Sequence, residues 1–163
     1  MAKFNANTLT KVAGFDGQIL AQELVYQQKD FWNMTWTQLV SGVSTPINLA
    51  GATIDAQIIR REISNLTDTR TGLSFDIADY PGSPTPIILT VTNVVDAAGT
   101  LTLIVDDSLW SILADDPELN INADNPVCFS GRIKVSFPAV GIQPAYDEQI
   151  FLLFLIVSDG VVN

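Results

Sequence analysis

The chain contains no histidine and only one cysteine, Cys128, among its 163 residues. Without histidine, the commonest general base and the commonest zinc ligand are both missing. A single cysteine forms no internal disulfide, so a small scaffold held together by disulfides is excluded. In the segment PVCFSG we predict that Cys128 is a small apolar residue of a strand rather than a reactive thiol.

Positive charge is also scarce, because 8 Lys and Arg residues oppose 18 Asp and Glu residues and leave a net charge of −10. Nucleic-acid binding needs clustered cations, and an anionic membrane surface repels a chain of this charge. The close basic pairs, Arg60–Arg61 and Arg132/Lys134, are predicted to be solvated positions at strand ends or on strand faces. We therefore predict neither a nucleic-acid partner nor a membrane partner.

The first residues, MAKFNANTLT, lack the apolar central region of a signal peptide. The longest apolar run, Ile150–Val157, is shorter than the ~20 residues that a membrane-spanning helix requires. We expect the chain to be made and folded in a cytoplasm.

Charged residues make up 16% of the chain and hydrophobic residues 47%. This length and composition predict one domain with ample material for a core. Low charge together with high apolar content indicates a surface that is largely covered by partners. The alternative is a domain with an unusually large core.

The segment Asp30–Gln57 predicts two strands joined by a turn-rich loop. Trp32, Met34 and Trp36 recur at period two, which is the spacing of side chains on one side of a strand. Two tryptophans on one side are a large apolar surface, so this strand is expected to lie against the core.

Similar patterns along the chain predict seven to nine short strands and one short helix. The predicted strands are Glu23–Gln28, Ala52–Arg60, Leu73–Ile77, Ile87–Val95, Thr100–Val105, Pro126–Ser130 with Arg132–Phe137 interrupted at Gly131, and Gln149–Val157. The clearest hairpin joins 87–95 to 100–105, a loop is predicted over 61–71, and the helix is predicted over Asp106–Ala114. Short strands at close spacing predict an all-β sandwich.

The two ends of the chain supply the predicted interface. We divide the chain into an extended N-terminal arm over residues 1–21 and a β-sandwich over 22–163. The apolar residues of the arm are expected to dock on a neighbouring subunit, although a disordered tail is the alternative. Gln149–Val157 is apolar on both sides, so it is either a central strand or an edge covered by a partner. The predicted interface residues are Phe4, Leu9, Val12, Phe15, Phe151, Leu153 and Leu155.

Chemistry-bearing patterns are few. The lysines stand in no recognisable motif beside a serine, and a glycine-rich phosphate loop is absent. Acidic residues gather over 106–124; a solvated loop is the main interpretation, with a structural calcium site or paired catalytic carboxylates as alternatives. Trp32, Trp36 and Trp110 are expected in the core, the alternative being a carbohydrate platform. We predict no catalytic, cofactor-binding or metal-binding residues, and no enzyme activity.

A sequence of short motifs carries a resemblance to a known family. They are Pro46-Ile47-Asn48-Leu49-Ala50-Gly51 before a strand with Gln57-Ile58-Ile59-Arg60, then Gly99-Thr100-Leu101-Thr102-Leu103, Leu109–Leu113, and Gly131-Arg132-Ile133-Lys134-Val135. Over about residues 22–157 the chain resembles the immunoglobulin-like module of tailed-bacteriophage virion proteins, notably the N-terminal domain of baseplate upper proteins. Asn48 and Ala50 stand where that family usually has Asp and Thr.

The resemblance implies an immunoglobulin-like antiparallel β-sandwich and a structural role in the virion. The expected function is that of a non-enzymatic tail or baseplate assembly or adaptor subunit, in contact with other virion proteins and with copies of itself. A capsid decoration (cement) protein is one alternative. A carbohydrate-binding module for host recognition is the other, and it requires exposed tryptophans, whereas the structural roles predict buried ones.

Overall fold

The structure is a computed structural model that describes residues 8–15, 17–69, 72–114, 116, 118 and 126–157. Eleven strands and one α-helix are present in these residues. The strands are β1 (Thr8–Val12), β2 (Ile19–Val25), β3 (Asp30–Val40), β4 (Val43–Pro46), β5 (Thr53–Thr69), β6 (Gly72–Asp79), β7 (Ile87–Ile88), β8 (Thr90–Val95), β9 (Thr100–Val105), β10 (Val127–Phe137) and β11 (Tyr146–Val157), and the helix is α1 (Asp107–Leu113). A short 3-10 turn, Asp96–Ala98, joins β8 to β9.

The strands form two sheets. Sheet 1 has the order β1-β3-β9-β8, and β4 pairs with the far end of β3. Sheet 2 has the order β2-β11-β10-β5-β6, and β7 pairs with β5. All pairings are antiparallel except β1 with β3 and β2 with β11, which are parallel.

The fold is an all-β sandwich with one short helix, as the sequence predicts. In immunoglobulin domains the strands B, E and D share one sheet, and the strands C, F and G share the other. The path β3-β9-β8 matches the order of the first set, and β5-β10-β11 matches the second. The strand order therefore agrees with the immunoglobulin-like arrangement.

The core lies between the sheets and is built from the inward residues of both. Trp32 and Trp36 of β3 both belong to this core, and the ring of Trp32 stacks on that of Phe154 of β11 with centroids 5.5 Å apart. Alternation explains this selection, because residues two apart on a strand share one side of the sheet. Trp32, Met34 and Trp36 are all buried, as predicted.

Helix α1 closes one end of the sandwich. The carboxylate of Asp106 accepts hydrogen bonds from the backbone N–H and the hydroxyl of Ser108, which lowers the pKa of Asp106. The N-cap is thus Asp106. Trp110 is buried, and its indole N–H donates to the carbonyl of Gln28 at 2.9 Å. No helix of the described residues is long and apolar enough to span a bilayer.

The N-terminal segment joins the sandwich from Thr8 onward. Residues 8–12 pair with β3, and residues 19–25 pair with β11, so both strands are edges of the sheets of their own chain. Strand β2 runs continuously through residues 21 and 22, where the predicted arm meets the predicted sandwich. Docking within the chain satisfies the backbone groups that an isolated arm would leave to solvent.

Three strand predictions are corrected. Strand β5 runs on to Thr69 through the segment predicted as a loop, because it pairs with β6. Strand β10 continues through Gly131, which was predicted to interrupt it. The predicted strand Ile87–Val95 divides at Leu89: β7 belongs to sheet 2 and β8 to sheet 1, so the chain crosses between the sheets there.

Strand β11 is central, which decides between the two alternatives for the last apolar run. It pairs with β10 along one edge and with β2 along the other. The idea of a bare apolar edge at Ile150–Val157 is therefore wrong. The sequence pattern does not distinguish a strand buried on both sides from an edge strand covered by a partner.

Candidate functional site

An apolar groove, which we call the outer groove, lies on the outward side of sheet 2. It encloses about 490 Å³ and crosses five strands, from β2 to β6. Its main apolar side chains are Ile19, Ile59, Ile77, Phe151 and Leu153.

Strand register brings these side chains together. Phe151 pairs with Ile19 of β2 and with Arg132 of β10, and Leu153 pairs with Ser130, which in turn pairs with Ile59. The neighbouring inward residues, Ile150 and Leu152, belong to the core. One strand thus supplies the core with one side and the outer groove with the other.

The outer groove is open to solvent. Ile19 and Ile77 are each 38% exposed, and Phe151 is 44% exposed. Exposed contiguous apolar surface on a soluble domain marks a contact site more often than chance. The groove therefore has the character of a docking surface.

Gly131 forms part of the floor of this groove. An ideal Cβ at this position would overlap the carbonyl oxygen of Gln57 and lie 2.7 Å from the Cα of Ile58. Strands β10 and β5 approach too closely here for any side chain. The glycine that was expected to break a strand instead allows two strands to meet.

The second feature is a polar cluster around Arg60, at the helix end of the sandwich. This side chain is on the inward side of β5 and only 7% exposed, so it requires partners. Its guanidinium pairs with Asp116 at 2.5 Å and with Glu118 at 2.8 Å. The same group lies 5.1 Å from the ring centroid of Tyr80 and 5.5 Å from that of Phe129. The negative charge of Glu118 is the main cause of the raised pKa of Tyr80.

This cluster corrects two predictions. Arg60 is not a solvated position, because its side chain points to the inward side of β5 and is buried there. Asp116 and Glu118, from the acidic segment 106–124, are ion-pair partners of Arg60, while residues 115, 117 and 119–125 of that segment lie outside the described residues. Within the described part of the chain, no three His, Cys, Asp or Glu residues are grouped in a way that would hold a metal ion.

The third feature is a buried polar contact between the N-terminal segment and sheet 2. Lys11 is 2% exposed, and its ammonium lies 3.6 Å from the carboxylate of Glu148 and donates to the carbonyl of Phe15. Glu148 also accepts from the backbone N–H of Gly14 at 3.0 Å. Removing one partner of a buried pair leaves an uncompensated charge, so this contact holds β1 and its turn in place.

The predicted interface residues are found in different environments. Phe151 and Leu153 line the outer groove, and Phe15 is exposed in the turn between β1 and β2. Leu9 and Val12 are half-buried in sheet 1, and Leu9 packs against the core. Leu155 is fully buried, which removes it from any exposed surface. Phe4 lies outside the described residues.

No protein-family model matches the chain, and no curated protein matches it.

Sequence reasoning missed the other residues of the groove. Ile59 and Ile77 stand on strands whose pairing was not predicted, and Ile19 was placed in the arm. Arg132 also lines the groove, although it was predicted to be a solvated strand position. Alternation with Ile133 predicts that Arg132 points outward. Its apolar neighbours were not predictable, because they come from other strands.

Proposed function

We propose that the protein is a non-enzymatic structural subunit of a bacteriophage virion, of the tail or baseplate, that assembles through protein–protein contacts. The outer groove is the observation that carries the assembly role, since it offers apolar side chains from four strands to a partner. The motifs over residues 22–157 support the virion assignment through the resemblance. Capsid decoration uses the same kind of contact and differs in the particle surface on which the subunit docks.

The contact is made by the side of a sheet rather than by a strand edge. Strand β11 is paired on both edges, so a partner meets side chains such as Phe151 and Leu153 and not free backbone groups. A stable interface of standard size buries ~1,600 Å² in total. The groove supplies the apolar centre of such an interface, and polar residues around it supply the rim.

The carbohydrate-binding alternative lacks the support that it needs. Such a module stacks sugars on exposed tryptophan rings, whereas the three tryptophans here are 3%, 0% and 4% exposed. Buried tryptophans favour the structural role over the carbohydrate-binding alternative.

Light scattering over a range of concentrations tests the proposal. We expect the wild-type chain to form a discrete oligomer, and we expect the double variant Phe151→Ser/Leu153→Ser to shift that equilibrium to monomer. The matched control is Ile112→Ser/Leu39→Ser, which removes two exposed apolar side chains outside the groove and is expected to leave the oligomer intact. A wild-type chain that stays monomeric at every concentration, or an oligomer that survives the groove variant, contradicts a subunit that self-assembles through this surface.

A further inference from the structure

We propose that the outer groove recognises an apolar polypeptide segment that carries carboxylates, and that Arg132 is the residue that selects it. This inference rests on the proposed function and names the chemistry of the partner. It follows from the distribution of positive charge over the described residues, from the position of Arg132 in the groove, and from the shape of the groove.

Six cationic side chains are present in the described part of the chain. Four of them are engaged in ion pairs with carboxylates of the same chain: Lys11, Lys29, Arg60 and Arg61. Arg132 and Lys134 have no ion-pair partner among the described residues. Both belong to β10 and face outward, at or beside the outer groove.

Arg132 is placed to bind an anion next to apolar surface. Its neighbours across the strands are Phe151 on β11 and Gln57 on β5, neither of which carries charge. A guanidinium binds a carboxylate through two parallel hydrogen bonds, which gives geometric selectivity as well as energy. Apolar side chains around such a pair exclude water and strengthen it.

Lys134 provides a second, weaker contact along the same strand. Residues two apart on a strand are about 7 Å apart, so Lys134 adds positive charge close to a carboxylate bound at Arg132. Asp55 lies opposite Lys134 on β5 and reduces its pull on an incoming anion. We therefore assign the main selectivity to Arg132.

The shape of the groove favours a polypeptide over a compact ligand. It crosses five strands, and four inter-strand spacings of about 4.8 Å make it about 19 Å wide. It is open along the sheet and presents rows of side chains rather than a closed cavity. An extended segment that crosses the strands can contact the apolar side chains of the groove and bring a carboxylate to Arg132.

The net charge of the chain alone predicts a preference for basic peptides, so binding of an acidic peptide is a strict test of this inference. A chain of net charge −10 attracts basic peptides and repels acidic ones at long range. Preference for an acidic peptide therefore requires a local cationic site.

The test uses two fluorescein-labelled eight-residue peptides, one repeating Leu-Leu-Glu-Glu and one repeating Leu-Leu-Lys-Lys, so that each side of the extended peptide carries both residue types. Fluorescence anisotropy measures their binding to the purified full chain at low ionic strength. We expect the acidic peptide to bind at least tenfold more tightly than the basic one, and Arg132→Glu to weaken acidic-peptide binding at least tenfold. Lys29→Glu is the matched control, since it changes the charge equally at the distant, helix end and is expected to alter binding less than twofold.

Several results overturn the inference. They are equal or tighter binding of the Leu–Lys peptide, unchanged binding in Arg132→Glu, and an equal loss in Lys29→Glu. Saturable binding of decanoate without binding of the acidic peptide identifies a small-ligand site instead. A further outcome is an oligomer that depends on Phe151 and Leu153, formed by a chain that does not bind the acidic peptide. That result overturns this inference and still supports the proposed function.

Discussion

The outer side of sheet 1 carries threonines, whereas the outer side of sheet 2 carries isoleucine, leucine and phenylalanine. In sheet 1, Thr10 pairs with Thr35, which pairs with Thr100, and Asn33 accepts a hydrogen bond from Thr102 at 2.8 Å. Phe31 and Ile104 form an apolar pair on this side, and Leu39 is exposed near the end of β3. In sheet 2, the corresponding positions form the outer groove.

The comparison teaches that strand propensity and surface role are separate. Threonine and isoleucine are both β-branched and both favour strands, so either suits a half-exposed sheet. They differ in their interaction with water, because the threonine hydroxyl forms hydrogen bonds with water or with a neighbour and the isoleucine side chain does not. The threonine surface is already satisfied by water and by its own hydrogen bonds. Burial of the apolar surface by a partner lowers the free energy.

The largest expected effect comes from placing a side chain in the floor of the groove. Gly131→Ala forces β10 away from β5, because the new Cβ would overlap the carbonyl oxygen of Gln57. We expect a loss of about 3 kcal/mol in the free energy of unfolding, at the upper end of overpacking effects. Urea denaturation followed by tryptophan fluorescence measures it.

The neighbouring substitution Ser130→Ala is the control, since its side chain points outward and the change is expected to stay within about 0.5 kcal/mol. A Gly131→Ala variant as stable as this control contradicts the close approach of the two strands.

A smaller effect is expected from making sheet 1 resemble sheet 2. The double variant Thr35→Ile/Thr100→Ile creates apolar surface on two paired positions without loss of strand propensity. We expect stability within about 0.5 kcal/mol of wild type and new self-association in light scattering. Thr35→Ser/Thr100→Ser keeps the hydroxyls and is expected to add none. If the isoleucine variant does not associate, apolar surface alone is insufficient, and the shape of the outer groove matters more than its composition.

A third expected effect is on the reactivity of Cys128, which lies on the outward side of β10 but is fully buried. Burial raises the pKa of its thiol to about 11 from 9.0. At pH 8 the native thiolate fraction is therefore about 100-fold below that of the unfolded chain, and native labelling by a disulfide reagent is expected to be at least that much slower. The stability contribution of this group is present below pH 9 and is lost as the pH rises toward 11.

Labelling in urea supplies the reference rate for the same thiol. Fast labelling of the folded chain would mean that sheet 2 is open at Cys128 as well as at the outer groove.

Much of the fold was accessible from local patterns. The period-two tryptophans of β3, the hairpin of β8 and β9, and helix α1 with Trp110 buried follow from side-chain alternation and helical spacing. These features depend on residues close together in the chain, which is why the sequence predicts them.

Most of the errors share a physical cause in long-range pairing. Strand β5 extends because β6 pairs with it, β1 and β2 join the sheets because β3 and β11 accept them, and Arg60 is buried because Asp116 and Glu118 reach it. Except for β6, which directly follows β5 in the chain, these partners are distant in sequence from the residues that they contact.

For this protein, the sequence by itself determined the class of the fold and the inward residues of most strands, because alternation of apolar side chains selects the side that leaves water. Only the tertiary structure decided that β11 is central and that Ile19, Ile59, Ile77, Phe151 and Leu153 share one groove with Arg132. The physical reason is that a strand pattern specifies which way each side chain points, whereas the neighbours of that side chain come from the order and register of strands distant in the chain.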